Sequence, residues 1–450
     1  MELSRALRIQ TKEIVAFVGG GGKTSAMFRL ADELAAEGRR VVTTTTTHIF
    51  SNQIALAPCH IIHARGQSIR QLTDSLAQQL VSHPHILVVG EPNRETGKTC
   101  GVAPQVVGTM ASLPEIDVIL NEADGARMYP FKAPADHEPV VPECTTILVP
   151  VVGIDTLGRP LTDEYVHRPD RVAELAGVEA GVEVTPEIVA SVLAHPRGGL
   201  KGLPTGARAV SLINKVESAE QLNAARQISR RLLAHQGIDA VSIGAVQRED
   251  PVIEVRGRVG AVVLAGGESK RFGAPKQLLS WEENTLLGHV LDVALASQAE
   301  PVVVVLGHQV DACRAAIGDR PVKVVVNPDW AQGQSTSVQA GLAALPAEVS
   351  GALFPLVDQP GVTPAVINAL IARHQVTLAP VVWPEYQGRR GNPVLFDRDT
   401  FPHLMRLTGD TGGRPVLNTY AGQAERVPVP NAGVLFDIDT PDDYAKAHVN

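Results

Sequence analysis

The sequence predicts an α/β protein with two α/β domains in tandem. Three observations carry this. Short β-branched runs alternate with alanine-rich stretches of helical length through almost all of the 450 residues, the pattern of parallel strands joined by crossover helices. Hydrophobic residues make up 44% of the chain but aromatics only 4%; Ala, Val and Leu must then fill the interior, as in sheets covered by helices. Two apolar strands run straight into glycine-rich turns, at residues 19–22 and 266–273. A chain of this length suits two to three domains of roughly 100–200 residues each.

In the first half, residues 14–18 read as a strand and 24–37 as a helix. Further strands are expected at 41–44, 86–89, 118–120, 146–151 and 209–213. Residues 248–258, REDPVIEVRGR, are charged and contain one proline and one glycine, and read as a linker. The predicted domains are therefore 1–247 and 259–450. In the second, strands are expected from 259 and at 302–306, 323–326, 352–357 and 379–382. Helices are expected at 286–297, 335–345 and 364–374. The two glycine motifs differ in spacing, which predicts two different folds.

The net charge is −8, a poor balance for nucleic acid, whose binding rests on phosphate neutralisation. Local Lys and Arg sites can still hold small anions. Cys59, Cys100, Cys144 and Cys313 form no C-x-x-C pair, so neither disulfides nor a cysteine metal site is expected. The first ten residues lack the apolar core of a signal peptide, and no run approaches about 18 apolar residues. A cytoplasmic protein with no membrane contact is the expectation.

The segment VGAVVLAGGESKRFGAPK, 259–276, carries the most chemistry. Its strand, from Val259 to Leu264, runs through Ala265 into Gly266 and Gly267, and Arg271, Gly273 and Lys276 follow. Glycines let the backbone approach a phosphate chain, and their N–H groups form a concave anion trap. Arg and Lys add charge for the same anion. Asp358 falls at the end of one apolar strand, and Asp437 and Asp439 at the end of another, GVLF at 433–436. Ligands in open α/β sheets lie beyond the carboxyl ends of strands, so these acids can face the loop and hold Mg2+ through oxygen. Taken alone, Asp358 also reads as the start of a turn and Asp439-Thr-Pro as a helix cap.

The motif LAGGESKRFGAPK resembles the opening loop of the molybdopterin nucleotidyltransferase family. VVNPDWAQGQSTSVQAGL, PLVDQPGV, GRRGNPVLF, LTGDTGGRPVL and FDIDTPDDY resemble its molybdenum cofactor cytidylyltransferase branch. The likeness covers residues 258–447. It implies a Rossmann-like domain with a mixed, mostly parallel sheet that transfers CMP from CTP to molybdopterin and releases pyrophosphate. On that likeness Gly266 and Gly267 shape the nucleotide pocket, and Arg271 and Lys276 bind phosphates. Asp358 carries magnesium, with Asp439 the second ligand and Asp437 in reserve. Ser335 and Ser337 fall at a helix start, where they cap the helix or touch the pterin, capping being favoured. Asn392, Gly409 and Asp410 would lie near the pterin, with Arg389, Arg390 and Arg414 available to its phosphate. Two departures stand out. The branch usually reads Leu-Ala-Ala-Gly where this chain has Gly266, as the guanylyl branch does, which leaves GTP open beside CTP. It commonly has histidine where this chain has Asn392.

In the first half, GGGGKTS resembles the phosphate loop of nucleoside triphosphatases. Lys23 would reach the terminal phosphates past Gly20, Gly21 and Gly22, and Thr24 would ligate magnesium. The standard pattern has glycine where this chain has Phe17. Asp124 or Glu122, after the strand at 118–120, suits a second magnesium contact. Asn214 and Lys215 resemble the guanine-reading Asn-Lys-x-Asp element, with Glu217 for Asp; a strand-end turn is the alternative. Residues 43–47 with His48 line the pocket or form a β-branched strand end. VGGGGKTS, VVTTTTTHIF, NEADGARMYPFKAPADHEPVVP and VHRPD resemble the selenium-dependent hydroxylase accessory protein family over residues 8–245. The resemblance implies a P-loop-like domain that takes ATP or GTP and assists the maturation of a molybdenum hydroxylase apoenzyme. A nucleotide-switched chaperone is the non-catalytic alternative.

Overall fold

Valine-rich runs with both faces apolar make strands that must be buried on both sides, and the computed structural model of the chain places them so. It describes residues 1–93, 95–269 and 272–447. The chain divides into two units, Met1–Arg256 and Gly257–Asn450.

The first unit is a nine-stranded sheet. Its strands are β1 (Glu13–Gly19), β2 (Val41–Thr45), β3 (His60–Ile62), β4 (His85–Val89), β5 (Val118–Glu122), β6 (Ile147–Gly153), β7 (Arg208–Asn214), β8 (Ala240–Gly244) and β9 (Val252–Gly257). They lie in the order β9-β8-β7-β6-β1-β5-β2-β4-β3. The pairings from β8 through to β3 are all parallel. From β1 the chain moves outward past β5 to β2, and later continues on the other side with β6. The strand order thus reverses at β1, the position where open sheets bind ligands. Helix α1 (Lys23–Ala36) follows β1 and buries Met27, Leu30 and Leu34 against the sheet.

The second unit holds β10 (Val259–Ala265), β11 (Val302–Leu306), β12 (Lys323–Val326), β13 (Gly351–Phe354), β14 (Val381–Tyr386), β15 (Arg389–Arg390), β16 (Val394–Asp397) and β17 (Glu425–Pro428). The order is β12-β11-β10-β13-β16-β14-β15, with β17 paired to β14. Strands β12, β11, β10 and β13 are mutually parallel, whereas β16 runs antiparallel to both β13 and β14. Alternation along β10 divides its side chains. Ala261 and Val263 pack on one face with Leu287 and Leu291 of α2 (Leu286–Leu295), and Val262 on the other with Val338 and Leu342 of α3 (Gln334–Ala344). Each such fully buried Leu or Val contributes about 1.5–3 kcal/mol. The chain passes from β10 to β11 on one side and returns to β13 on the other, so the loops after β10 and β13 meet at a second reversal.

The expected linker is corrected. Residues 252–257 form edge strand β9, because Val252 and Val255 turn inward. Glu254 is buried too, against Arg226 at 2.6 Å and Arg256 at 3.2 Å. Strands β3, β8, β15, β16 and β17 were also not read from the sequence, and the strand expected before Asp437 is instead a 3-10 turn at Ala432–Leu435. The four cysteines are free, and no helix among the described residues is long and apolar enough to cross a membrane.

Candidate functional sites

In the second unit the loop after β10 turns back at Gly266, whose carbonyl accepts from His308 N at 3.1 Å. Gly267 O accepts from Gln277 Nε2 at 3.2 Å, and Gly273 has φ +76°. The Lys276 backbone N–H donates to Ser269 Oγ at 3.2 Å. This ties the base of the lysine to its own loop. Its ammonium then crosses to the acids: Nζ lies 2.8 Å from Asp439 Oδ1 and 3.5 Å from Asp358 Oδ2. The expected convergence of Lys276 with Asp358 and Asp439 is therefore present. Arg271 lies outside the described residues.

The two acid segments are stitched together. Ile438 N donates to Asp358 O at 2.9 Å, and the buried Gln359 donates from Nε2 to Asp437 Oδ1 at 2.6 Å. Asp437 is thereby engaged by Gln359, while the lysine pairs with the other two acids. Asp439 is free of helix-capping duty, because Thr440 and Asp443 bond each other across the first turn of the terminal helix. Burial pushes the Asp358 carboxyl above its ordinary range; Lys276 opposes this, and Asp437 and Asp439 add to it. Among the described residues no three His, Cys, Asp or Glu side chains converge at metal-ligand spacing.

Ser335 does not cap α3: it is buried and its hydroxyl donates to Gly409 O at 2.8 Å. Asp410 Oδ1 accepts from Gln334 N at 3.3 Å, so the 409–410 turn itself covers the start of that helix. Ser337 is buried as well, accepting from Asn327 Nδ2 at 3.0 Å. Asn327 escaped the sequence reading, since nothing local marks a buried amide. Arg389, Arg390 and Arg414 are exposed, and Asn392 is half-buried.

In the first unit, Phe17 is buried in β1, and the glycine turn starts two residues later. Gly19 N donates to the Asp124 carboxylate at 3.0 Å, Gly20 N to Val151 O at 3.0 Å and Gly21 N to Tyr129 O at 3.0 Å. Three loop donors are thus satisfied by the protein. The open ones are the first N–H groups of α1, around residues 22–25, which have no intrahelical acceptor. Gly21 has φ +76°, and a Cβ there would stand 2.0 Å from Gly153 N, so no other residue fits.

The charged side chains behind this loop alternate in sign. Thr24 Oγ1 donates to Glu122 Oε2 at 2.7 Å. Lys23 Nζ lies 3.5 Å from Glu122 Oε1, 3.2 Å from Asp124 Oδ1 and 2.8 Å from Gly19 O. Asp124 also meets Lys132 at 3.1 Å, Lys132 meets Glu138 at 2.7 Å, and Glu138 meets Arg168. Burial works against the Lys23 ammonium, but Asp124 and Glu122 outweigh it and hold its pKa above the usual value. Glu138, although buried, is held down to about 2 by Lys132 and Arg168.

This revises the metal expectation for Asp124, whose oxygens are already taken by two ammonium groups and the Gly19 N–H. Glu122, bonded to Thr24, is the better placed carboxylate. The fold links Lys132, Glu138 and Arg168 in one chain of ion pairs to Asp124. Asn214 does not face outward as a base reader would: Nδ2 donates to Gly21 O at 2.8 Å and Oδ1 accepts from Val246 N at 3.0 Å. Lys215 pairs with Asp155 at 2.8 Å on the surface. The threonine run is spent within the sheet, Thr43 on His85, Thr44 on Val88 O and Thr45 on Glu122 O.

Comparison with known proteins agrees with this division. Residues 15–170 match the family model described as YqeC protein, and residues 261–426 that of the MobA-like NTP transferase domain. The uncharacterized protein YqeC of Escherichia coli (strain K12) is 33% identical over 243 residues, 54% of this chain and 91% of its own. Nicotine blue oxidoreductase of Paenarthrobacter nicotinovorans is 30% identical over 189 residues, 40% of this chain and 92% of its own. Molybdenum cofactor cytidylyltransferase of Escherichia coli (strain K12) is 27% identical over 191 residues, 42% of this chain and 95% of its own. The chain belongs to the YqeC family through its first half and to the MobA-like nucleotidyltransferases through its second.

Proposed function

We propose that the second half transfers CMP from CTP to the terminal phosphate of molybdopterin, releasing pyrophosphate. The observation that carries this reading is the meeting of Lys276 with Asp358 and Asp439 at the sheet reversal beyond β10 and β13. A phosphate oxygen of the acceptor attacks the α-phosphorus of CTP, and the bond to the bridging oxygen of the β-phosphate breaks. Pyrophosphate leaves with the electron pair. The acceptor brings its own anionic nucleophile, so the protein needs no covalent intermediate and no general base; alignment and charge neutralisation supply the rate. Lys276 binds the departing phosphates, with Arg271 as its partner.

The two carboxylates fit Mg2+, because they already share one cationic position, and Mg2+ is typically held by one or two carboxylates plus substrate phosphates. Asp358 and Asp439 would hold it, and when bound it neutralises triphosphate charge. The relative with an oxidoreductase name covers the same half of the chain, but a lysine between two acids suits a polyphosphate, and transfer is the reading it supports.

A second reading, GTP in place of CTP, rests on Gly266. A methyl there would stand 3.3 Å from both Gly307 N and Ser337 Oγ, so its absence leaves this wall of the loop relaxed. For the first half we infer nucleotide binding at the start of α1. Lys23 and Thr24 face the phosphates and Glu122 stands on the metal side, in aid of maturing a molybdenum hydroxylase. The test is incubation of the full chain with molybdopterin, Mg2+ and each triphosphate in turn. Pyrophosphate release with formation of a cytosine dinucleotide is expected. Release with GTP alone supports the second reading, and release with neither removes both.

A further inference from the structure

The acids proposed to hold the metal are not waiting with bare charge. Among the described residues one ammonium, that of Lys276, stands between them, 2.8 Å from Asp439 and 3.5 Å from Asp358. Asp437, the third acid nearby, is engaged by Gln359, and the ion pairs of Lys276 go to the other two. We propose that Lys276 is the resident counter-cation of this acid pair. A free divalent ion then competes with it, and the metal binds tightly only together with a triphosphate, which gives the lysine other acceptors. The inference rests on the transferase reading above.

Three features support it. The backbone of Lys276 is anchored to Ser269, while its flexible four-carbon stem lets the ammonium swing without moving the loop. The lysine side chain is 13% exposed whereas that of Asp439 is 58% exposed; the ammonium is lodged in the site and the acid reaches in from solvent. Two cations on one acid pair repel, so the lysine must leave as the metal arrives. Without a new acceptor it would give up both ion pairs. The first half repeats the motif, with Lys23 between Glu122 and Asp124. There Lys132 also neutralises Asp124, so the test belongs at Lys276.

The experiment titrates the full chain with MnCl2 alone and with CTP, reading free Mn2+ by electron paramagnetic resonance. The quantity followed is the binding that Asp358→Asn removes. Lys276→Met is expected to take up Mn2+ without nucleotide at least about tenfold more tightly than the unaltered chain. The double variant Lys276→Met/Asp358→Asn is expected to lose that gain. CTP should tighten Mn2+ binding in the unaltered chain and much less in Lys276→Met. Lys276→Gln, checked by thermal melting, guards against a folding defect in the methionine variant. Equal Mn2+ affinity with and without the lysine overturns the proposal, while an intact CTP-dependent site leaves the transferase reading standing. Absence of any CTP-dependent, Asp358-dependent Mn2+ site removes both.

Discussion

The side-chain amide of Asn214 braces the glycine loop from behind, its Nδ2 donating to the Gly21 carbonyl at 2.8 Å. Its Oδ1 accepts from Val246 N, so one side chain joins the ends of β1, β7 and β8. Asn214→Ala strands a buried carbonyl and a buried N–H and is expected to cost about 1–3 kcal/mol. Asn214→Asp would set a carboxylate oxygen against the Gly21 carbonyl and should cost more. Denaturant unfolding of the two variants checks the order, and nucleotide binding by the first half should weaken in parallel.

Asp358→Asn keeps the shape of the second site and removes the charge that meets Lys276. Transfer is expected to fall by about 10²–10³-fold with little change in melting temperature. Asp437→Asn, at an acid already engaged by Gln359, should fall far less. Steady-state assays of pyrophosphate release, set beside thermal melts of both variants, separate catalytic from structural loss.

His85 is buried in β4, with Nε2 against Thr43 Oγ1 at 2.9 Å. Burial lowers its pKa from 6.5 to about 4. The unfolded chain therefore takes up this proton first as the pH falls. Stability from this group is complete above pH 6.5 and is lost as the pH drops toward 4, by an amount on the order of 3 kcal/mol. Urea denaturation at pH 7, 6, 5 and 4 should show a shallower decline in His85→Gln than in the unaltered chain, even if the variant is weaker at pH 7. Equal slopes would rule the histidine out as the source.

Gly266→Ala adds a methyl 3.3 Å from Gly307 N and Ser337 Oγ, close enough that the loop must give by a few tenths of an ångström. The variant is expected to turn over CTP and to lose GTP use by about tenfold or more relative to it, one carbon in a pocket being worth about 1–3 kcal/mol. The ratio of kcat/KM for the two triphosphates is the measurement. An unchanged ratio means the base is read elsewhere.

How much of this was legible in the residues differs from place to place. The order strand, glycine turn, Lys276 was readable because a phosphate-binding loop must be continuous in the chain. Asp358 and Asp439 were readable because each ends an apolar run. Strand β9 was not, since Glu254 and Arg256 look like solvent-facing charges until Arg226, 28 residues away, is seen to pair with the buried acid. Ser335 was misread for a related reason: propensity favours serine at a helix start, but the turn at Gly409 and Asp410 arrives there first.

The amino-acid order alone determined that there are two α/β units, where their glycine loops fall and which lysines and acids are available, because periodicity and local turn chemistry act over a few residues. Only the tertiary structure decided which charges meet. It set Lys276 between Asp358 and Asp439, gave Asp437 to Gln359, and enclosed Asp124 between Lys23 and Lys132. Apart from Asp124 with Lys132, these contacts join residues far apart in the chain and depend on strand order, and strand order is a property of the packed sheet rather than of any one segment.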